Sequence, residues 1–133
     1  MALAIEKTVS LSESIKEALR KKGVRAYIEI EQSSIQPIEY TIAIEIDRPD
    51  EKEYNIAKEL AKKLIDKGLE VYPEYTEYVQ MFYVYDLVTG EKVNEEVADW
   101  EIPYDTIRIE VRTNKDEIEK TIKEILEAIE EIE

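Results

Sequence analysis

Any chemistry in this chain has to come from tyrosine, arginine and carboxylates. It contains no histidine and no cysteine. That removes the usual general base, metal ligand and pH switch, together with thiolate nucleophiles, zinc–thiolate sites and disulfides. Of the serines, Ser10, Ser12 and Ser14 fall at a helix start, and Ser33 and Ser34 in a turn. None sits in a Gly-x-Ser-x-Gly elbow. No glycine loop able to cradle phosphate and no dinucleotide motif is present.

Two groups of residues stand out. Tyr72, Tyr75, Tyr78, Phe82, Tyr83 and Tyr85 crowd into a short tract. Tyrosine pairs an apolar body with a polar tip, so such a tract suits a protein interface or a ligand pocket, and also a plain strand-rich rim. Near the C-terminus, Ile118, Ile122, Ile125, Ile129 and Ile132 are spaced 4, 3, 4, 3. That heptad-like seam fits a partner helix, a symmetry mate or the chain's own sheet. Both groups are candidate interfaces.

Carboxylates offer weaker candidates. Glu95, Glu96, Asp99, Glu101 and Asp105 are hard-cation ligands by type, but their spacing matches no EF-hand loop. Glu29, Glu31, Glu39 and Glu45 fall on outward strand positions. With Arg25, Arg108 and Arg112 expected on the same face, a solvated salt-bridge network is the reading preferred over an acid–base pair. No metal and no cofactor is expected.

The elements that must position these residues follow from two periods. A helix is predicted over about 11–22, with Ser10 and Glu13 at capping-box spacing. Alternating strands are predicted from Val24 to Glu31 and from Ile38 to Ile46, joined by a turn at 33–37. A second helix follows over about 50–67, with Asp50 and Glu53 at capping spacing. The stretch from Leu69 is broken by Pro73, so an extended edge segment is expected there, then a strand from about Glu77 to Asp86. Gly90 marks a hairpin returning through Lys92 and Val93, and 94–105 reads as a loop holding Trp100 and Pro103. A strand over 106–112 turns Ile107, Ile109 and Val111 inward, and a last helix runs from about Lys115. Gly23 and Gly68 suit left-handed helix ends.

The order is α-β-β-α-β-β-β-α: a single α+β domain, residues 1–133, with an antiparallel or mixed sheet of about five strands and helices packed on one face. An extra short strand over Ala4–Thr8 would give the first half a ferredoxin-like order.

Composition sets the outer limits. The chain has 133 residues and a net charge of −14, with 38% charged residues. The balance of Glu, Lys and Ile over Asn and Gln matches proteins of thermophiles, archaeal or viral, and a designed protein could share it; the irregular, Tyr-rich middle favours a natural thermophile. Residues 1–68 hold 12 basic against 13 acidic side chains, and residues 69–133 hold 6 against 19. The second half would repel nucleic-acid phosphates and steer a basic partner inward, although solubility alone is the preferred reading of such a charge. No apolar run reaches membrane-spanning length, and Glu6 and Lys7 interrupt any signal-peptide core, so a cytoplasmic protein is expected.

The function read from these features is a non-catalytic protein-binding or adaptor protein, homodimeric, with a basic protein as a further partner and no direct nucleic-acid or membrane contact. A sharper alternative is an acidic nucleic-acid mimic of viral or plasmid type that inhibits a basic partner. A third is a small-molecule-binding protein or enzyme with a pocket at Tyr83, Tyr85 and Trp100. In size, charge and amphipathic C-terminal helix the chain is similar to small acidic secretion chaperones, although their strand–helix order differs.

Overall fold

A computed structural model describes residues 5–78, 81–97 and 104–132. Its elements are α1 (Ile5–Lys21), β1 (Tyr27–Gln32), β2 (Glu39–Asp47), α2 (Glu51–Asp66), β3 (Glu70–Tyr78), β4 (Met81–Asp86), β5 (Lys92–Val97), β6 (Thr106–Asn114) and α3 (Ile118–Glu130). The fold is α+β, as the two periods predict. The strands form one six-stranded sheet in the order β1-β2-β6-β3-β4-β5, every neighbouring pair antiparallel.

Helices cover one face. α3 packs against both α1 and α2, and against β6 at the middle of the sheet. Ile42, Ile44 and Ile46 of β2 and Ile107, Ile109 and Val111 of β6 are at most 1% exposed beneath them. They meet Ile15 and Leu19 of α1, Leu60 and Leu64 of α2, and Ile122 and Ile125 of α3 in one apolar cluster. Alternation in strands and 3–4 spacing in helices thus converge on the same interior.

Three expectations need correction. The first helix starts at Ile5, with Ser10 and Glu13 inside it. Thr8, Leu11, Ile15 and Leu19 continue one helical stripe, and Lys7 bridges Glu119 of α3 at 2.9 Å. The serine hydroxyls bond backwards, Ser12 Oγ to the Val9 carbonyl and Ser14 Oγ to the Ser10 carbonyl, both at 2.9 Å. Residues 5–8 are therefore helix, and the ferredoxin-like strand does not form there; Ala4 lies outside the described residues.

Pro73 does not break its segment. It lies in β3 opposite Ile109 of β6. Its carbonyl accepts the Leu87 amide at 3.0 Å, on the side away from β6. A strand residue's N and O point the same way, so the missing N–H falls just beyond the end of the β3–β4 ladder and costs no bond to β6. This strand brings the count to six. Lastly, β5 runs on to Val97, so the loop before β6 is shorter than expected; residues 98–103, including Trp100, lie outside the described residues.

Elsewhere the predicted helix ends hold. Asp50 caps α2, accepting the Glu53 amide at 2.7 Å while Glu53 accepts the Asp50 amide at 3.2 Å. Gly23 and Gly68 take φ of 85° and 83° at the ends of α1 and α2, a left-handed conformation that a Cβ would strain.

Candidate functional site

The face of the sheet away from the helices is the candidate site. Residues directly opposite one another share a face, so register alone lays this surface out in rows. The rows are Tyr27–Glu45–Arg108–Glu74, Glu29–Ala43–Glu110–Tyr72 and Glu31–Thr41–Arg112–Glu70. Glu39 and Asp47 at the ends of β2, and Asp86 opposite Glu74, extend it.

Two guanidinium groups organise the middle. Arg108 pairs with Glu45 through Nη1 and with Glu110 at 3.2 Å through Nη2. Burial pulls its pKa down, but Glu110 and Glu45 outweigh this and hold it above the ordinary arginine value. Arg112 pairs with Glu110 at 2.9 Å and lies 4.4 Å above the Tyr72 ring. The Tyr72 hydroxyl donates to Glu70 at 2.5 Å, which pushes the phenol up. Between them Ala43 is only 2% exposed, although no helix lies over it; the longer side chains beside it close over the methyl group.

The signs do not balance. Among the described strand residues that register places on this face, Glu29, Glu31, Glu39, Glu45, Asp47, Glu70, Glu74, Asp86 and Glu110 stand against two cations, Arg108 and Arg112. Seven of these nine carboxylates thus exceed the cations. Glu29 shows the consequence. A hydrogen bond shared with the Glu31 carboxyl, then slight desolvation by its neighbours, then the charges of Glu31 and Glu45 push its pKa up.

Arg25 lies at the rim of this surface, beside Tyr27, Glu45 and Asp47, but its guanidinium is committed to Glu53. Its backbone amide, Nε and Nη2 all bond to Glu53, at 2.8, 3.2 and 2.7 Å. Glu53 is fully buried. Burial pushes its carboxyl up, but the bonds from Arg25 and from the Asp50 amide prevail and hold it below the usual carboxylate range. The clamp ties the start of α2 to the segment leaving α1. Capping spacing pointed to Glu53, but nothing in the sequence joined it to Arg25.

The pleat divides the tyrosine tract. Tyr75 turns toward the helices, 5.3 Å from Tyr54 in a T-shaped pair and 6.4 Å from Tyr85 in a stacked one. Its hydroxyl donates to Asp105 at 3.1 Å. Burial and the Asp105 charge push its phenol up to about 12. Tyr83 shares that side and lies 4.6 Å under the Lys92 ammonium. Tyr72 and, by alternation, Tyr78 belong to the open side; the Tyr78 amide donates to Asp105 at 2.9 Å. The Phe82 side chain lies outside the described residues, as does Trp100, and with it the pocket expected between Trp100, Tyr83 and Tyr85. The tract is therefore not one continuous patch.

The isoleucine seam is spent on the chain's own core. Ile118, Ile122, Ile125, Ile129 and Ile132 are all 2% exposed or less. As folded, none is available to a partner helix. Among the described residues, no group of three carboxylates is arranged to hold a metal ion, and no helix is long and apolar enough to cross a membrane. Of the acidic loop residues, Glu95, Glu96, Asp99 and Glu101 lie outside the described side chains, and Asp105 is engaged by Tyr75 and Tyr78. Comparison of the chain with protein-family models, with curated proteins and with solved structures finds no match.

Proposed function

We propose that this is a non-catalytic protein-binding domain whose open sheet face receives a basic partner protein. The observation that carries the proposal is the uncompensated charge of that face, whose carboxylates outnumber its arginines nine to two among the described strand residues. A surplus of one sign of charge across a broad surface steers an oppositely charged partner and excludes like-charged ones. The nucleic-acid-mimic reading is a special case in which the partner's basic surface normally holds phosphates.

The homodimer expectation rested on two features, and the isoleucine seam is already buried. A dimer built face to face across the open surface would also oppose like charges. Light scattering at high concentration checks the remaining support, the tyrosine tract.

The test is capture from the native host on the immobilised protein, beside a Glu70→Lys/Glu74→Lys variant. Both positions are exposed, so the change removes no core packing, and circular dichroism checks that the variant stays folded with Lys opposite Arg112 and Arg108. The wild type is expected to retain a basic protein that elutes as salt rises, and the variant to lose it. Equal retention by both overturns the proposal.

A further inference from the structure

The rim of the sheet at β1 has a hydrogen-bonding geometry that register decides. In an antiparallel pair, residues exchange both backbone bonds only at alternate positions. The Ser33 amide donates to the Glu39 carbonyl at 2.8 Å, one step beyond the Gln32–Tyr40 pair. Counting back by twos, the bonded pairs are Glu31–Thr41, Glu29–Ala43 and Tyr27–Glu45. The N–H and C=O groups of Ile28, Ile30 and Gln32 therefore point outward from the edge strand. Among the described residues, no strand pairs with them there.

Side chains at the same rim state what would fit. Glu29 and Glu31 project on the open face, and no ion pair among the described residues reaches either. Ile28 and Ile30 project on the helix side and are only half-buried. A neighbouring strand would thus meet acid on one face and aliphatic surface on the other. A second copy of β1, laid antiparallel, would place Glu29 and Glu31 against the same pair, and like charges directly opposite are destabilising. The rim rejects its own copy while remaining open to a strand of opposite sign.

We propose that β1 is a docking strand: an extended segment of a partner protein, with Lys or Arg alternating with aliphatic residues, adds to the sheet edge along Ile28, Ile30 and Gln32, its cations over Glu29 and Glu31. This deepens the reading of a basic partner and rests on it. It adds the mode of binding, which charge on the open face alone does not specify.

The probe is a short peptide alternating lysine and valine, with a second version N-methylated at the amides that would face β1. The lysine–valine peptide is expected to bind the full chain and slow hydrogen exchange at the Ile28, Ile30 and Gln32 amides. N-methylation should weaken it about tenfold or more, as should Glu29→Lys/Glu31→Lys in the protein. An N-methylated peptide that binds as well as its parent overturns strand addition. So does a parent peptide that leaves the three amides unprotected. In either case, partner capture lost in Glu70→Lys/Glu74→Lys would still stand, so the two proposals fail separately. Because Glu29→Lys/Glu31→Lys disturbs the local charges, Ile30→Pro is the second variant. It removes one outward N–H and no bond to β2, and unimpaired peptide binding by the folded variant also sinks the proposal.

Discussion

On β6, Ile109 points into the helix layer with no exposed surface, while Glu110, next along the chain, lies on the open face between Arg108 and Arg112. The same contrast runs through β2, where Ile42 and Ile44 flank Ala43. On the helix side, packing requires only that residues be apolar and of the right volume, and three helices supply the cover. The open side has no cover, and its order comes from guanidinium groups shared among carboxylates. Ion pairs kept for stability alone would mix their signs evenly. The surplus of negative charge adds self-repulsion and no packing, so stability does not explain it; solubility and the binding proposed above both would.

The sharpest way to break this comparison uses those two adjacent residues. Ile109→Ala removes buried methyl and methylene groups and is expected to cost about 2–5 kcal/mol. Glu110→Ala loses partly solvated ion pairs and is expected to cost about 1 kcal/mol or less. Urea unfolding of the two variants reads the difference directly as a shift in midpoint. Equal losses would mean that the open face is as much a structural core as the other.

Glu53 sits between these extremes, a buried charge whose partner Arg25 reaches solvent, 72% exposed. Glu53→Gln weakens charge-assisted bonds to Arg25 and is expected to cost about 1–3 kcal/mol at neutral pH. The pH dependence has a definite sign. The folded carboxyl is held below its unfolded value, so its stabilisation is complete above the unfolded pKa and disappears as pH falls through the folded one. The gap between wild type and Glu53→Gln should therefore narrow on acidification. A gap that widens in acid contradicts the clamp.

How much of this was legible beforehand depended on whether a residue's role was local. Alternation in β1, β2 and β6 placed Ile42, Ile109 and Glu110 on the correct sides, because period two depends on the strand alone. Asp50 and Glu53 announced a helix start for the same reason. Pro73 misled, since its tolerance depends on which side β4 approaches and where that ladder ends. The start of α1 was missed because Ser10 and Glu13 imitate a cap that a longer apolar stripe overrides. Nor does the chain order reveal that β6 enters between β2 and β3, the placement that brings Arg108 between Glu45 and Glu74 and Arg112 between Thr41 and Glu70. The isoleucine seam was legible as a seam, but only the packed structure shows what it faces. The tyrosine tract looked continuous because sequence proximity hides the pleat that sends Tyr72 and Tyr75 to opposite sides.

The smallest effect tests the surplus charge itself. Glu29 is exposed, and its pKa is raised chiefly by the hydrogen bond with the Glu31 carboxyl. A carboxyl raised in the folded state holds its proton longer there than in the unfolded chain. Repulsion is then fully present above the folded pKa and relieved as pH falls through it. Glu29→Gln keeps the shape and a hydrogen-bond donor for Glu31 while removing one charge. It should stabilise the protein at neutral pH by a few tenths of a kcal/mol at most, because solvent screens an exposed pair. That gain should fade in high salt and below the unfolded carboxylate pKa. A loss of stability at neutral pH would show that the Glu29 charge is satisfied within the chain. The open face would then lack the unmet demand for a cation that distinguishes it from the helix side.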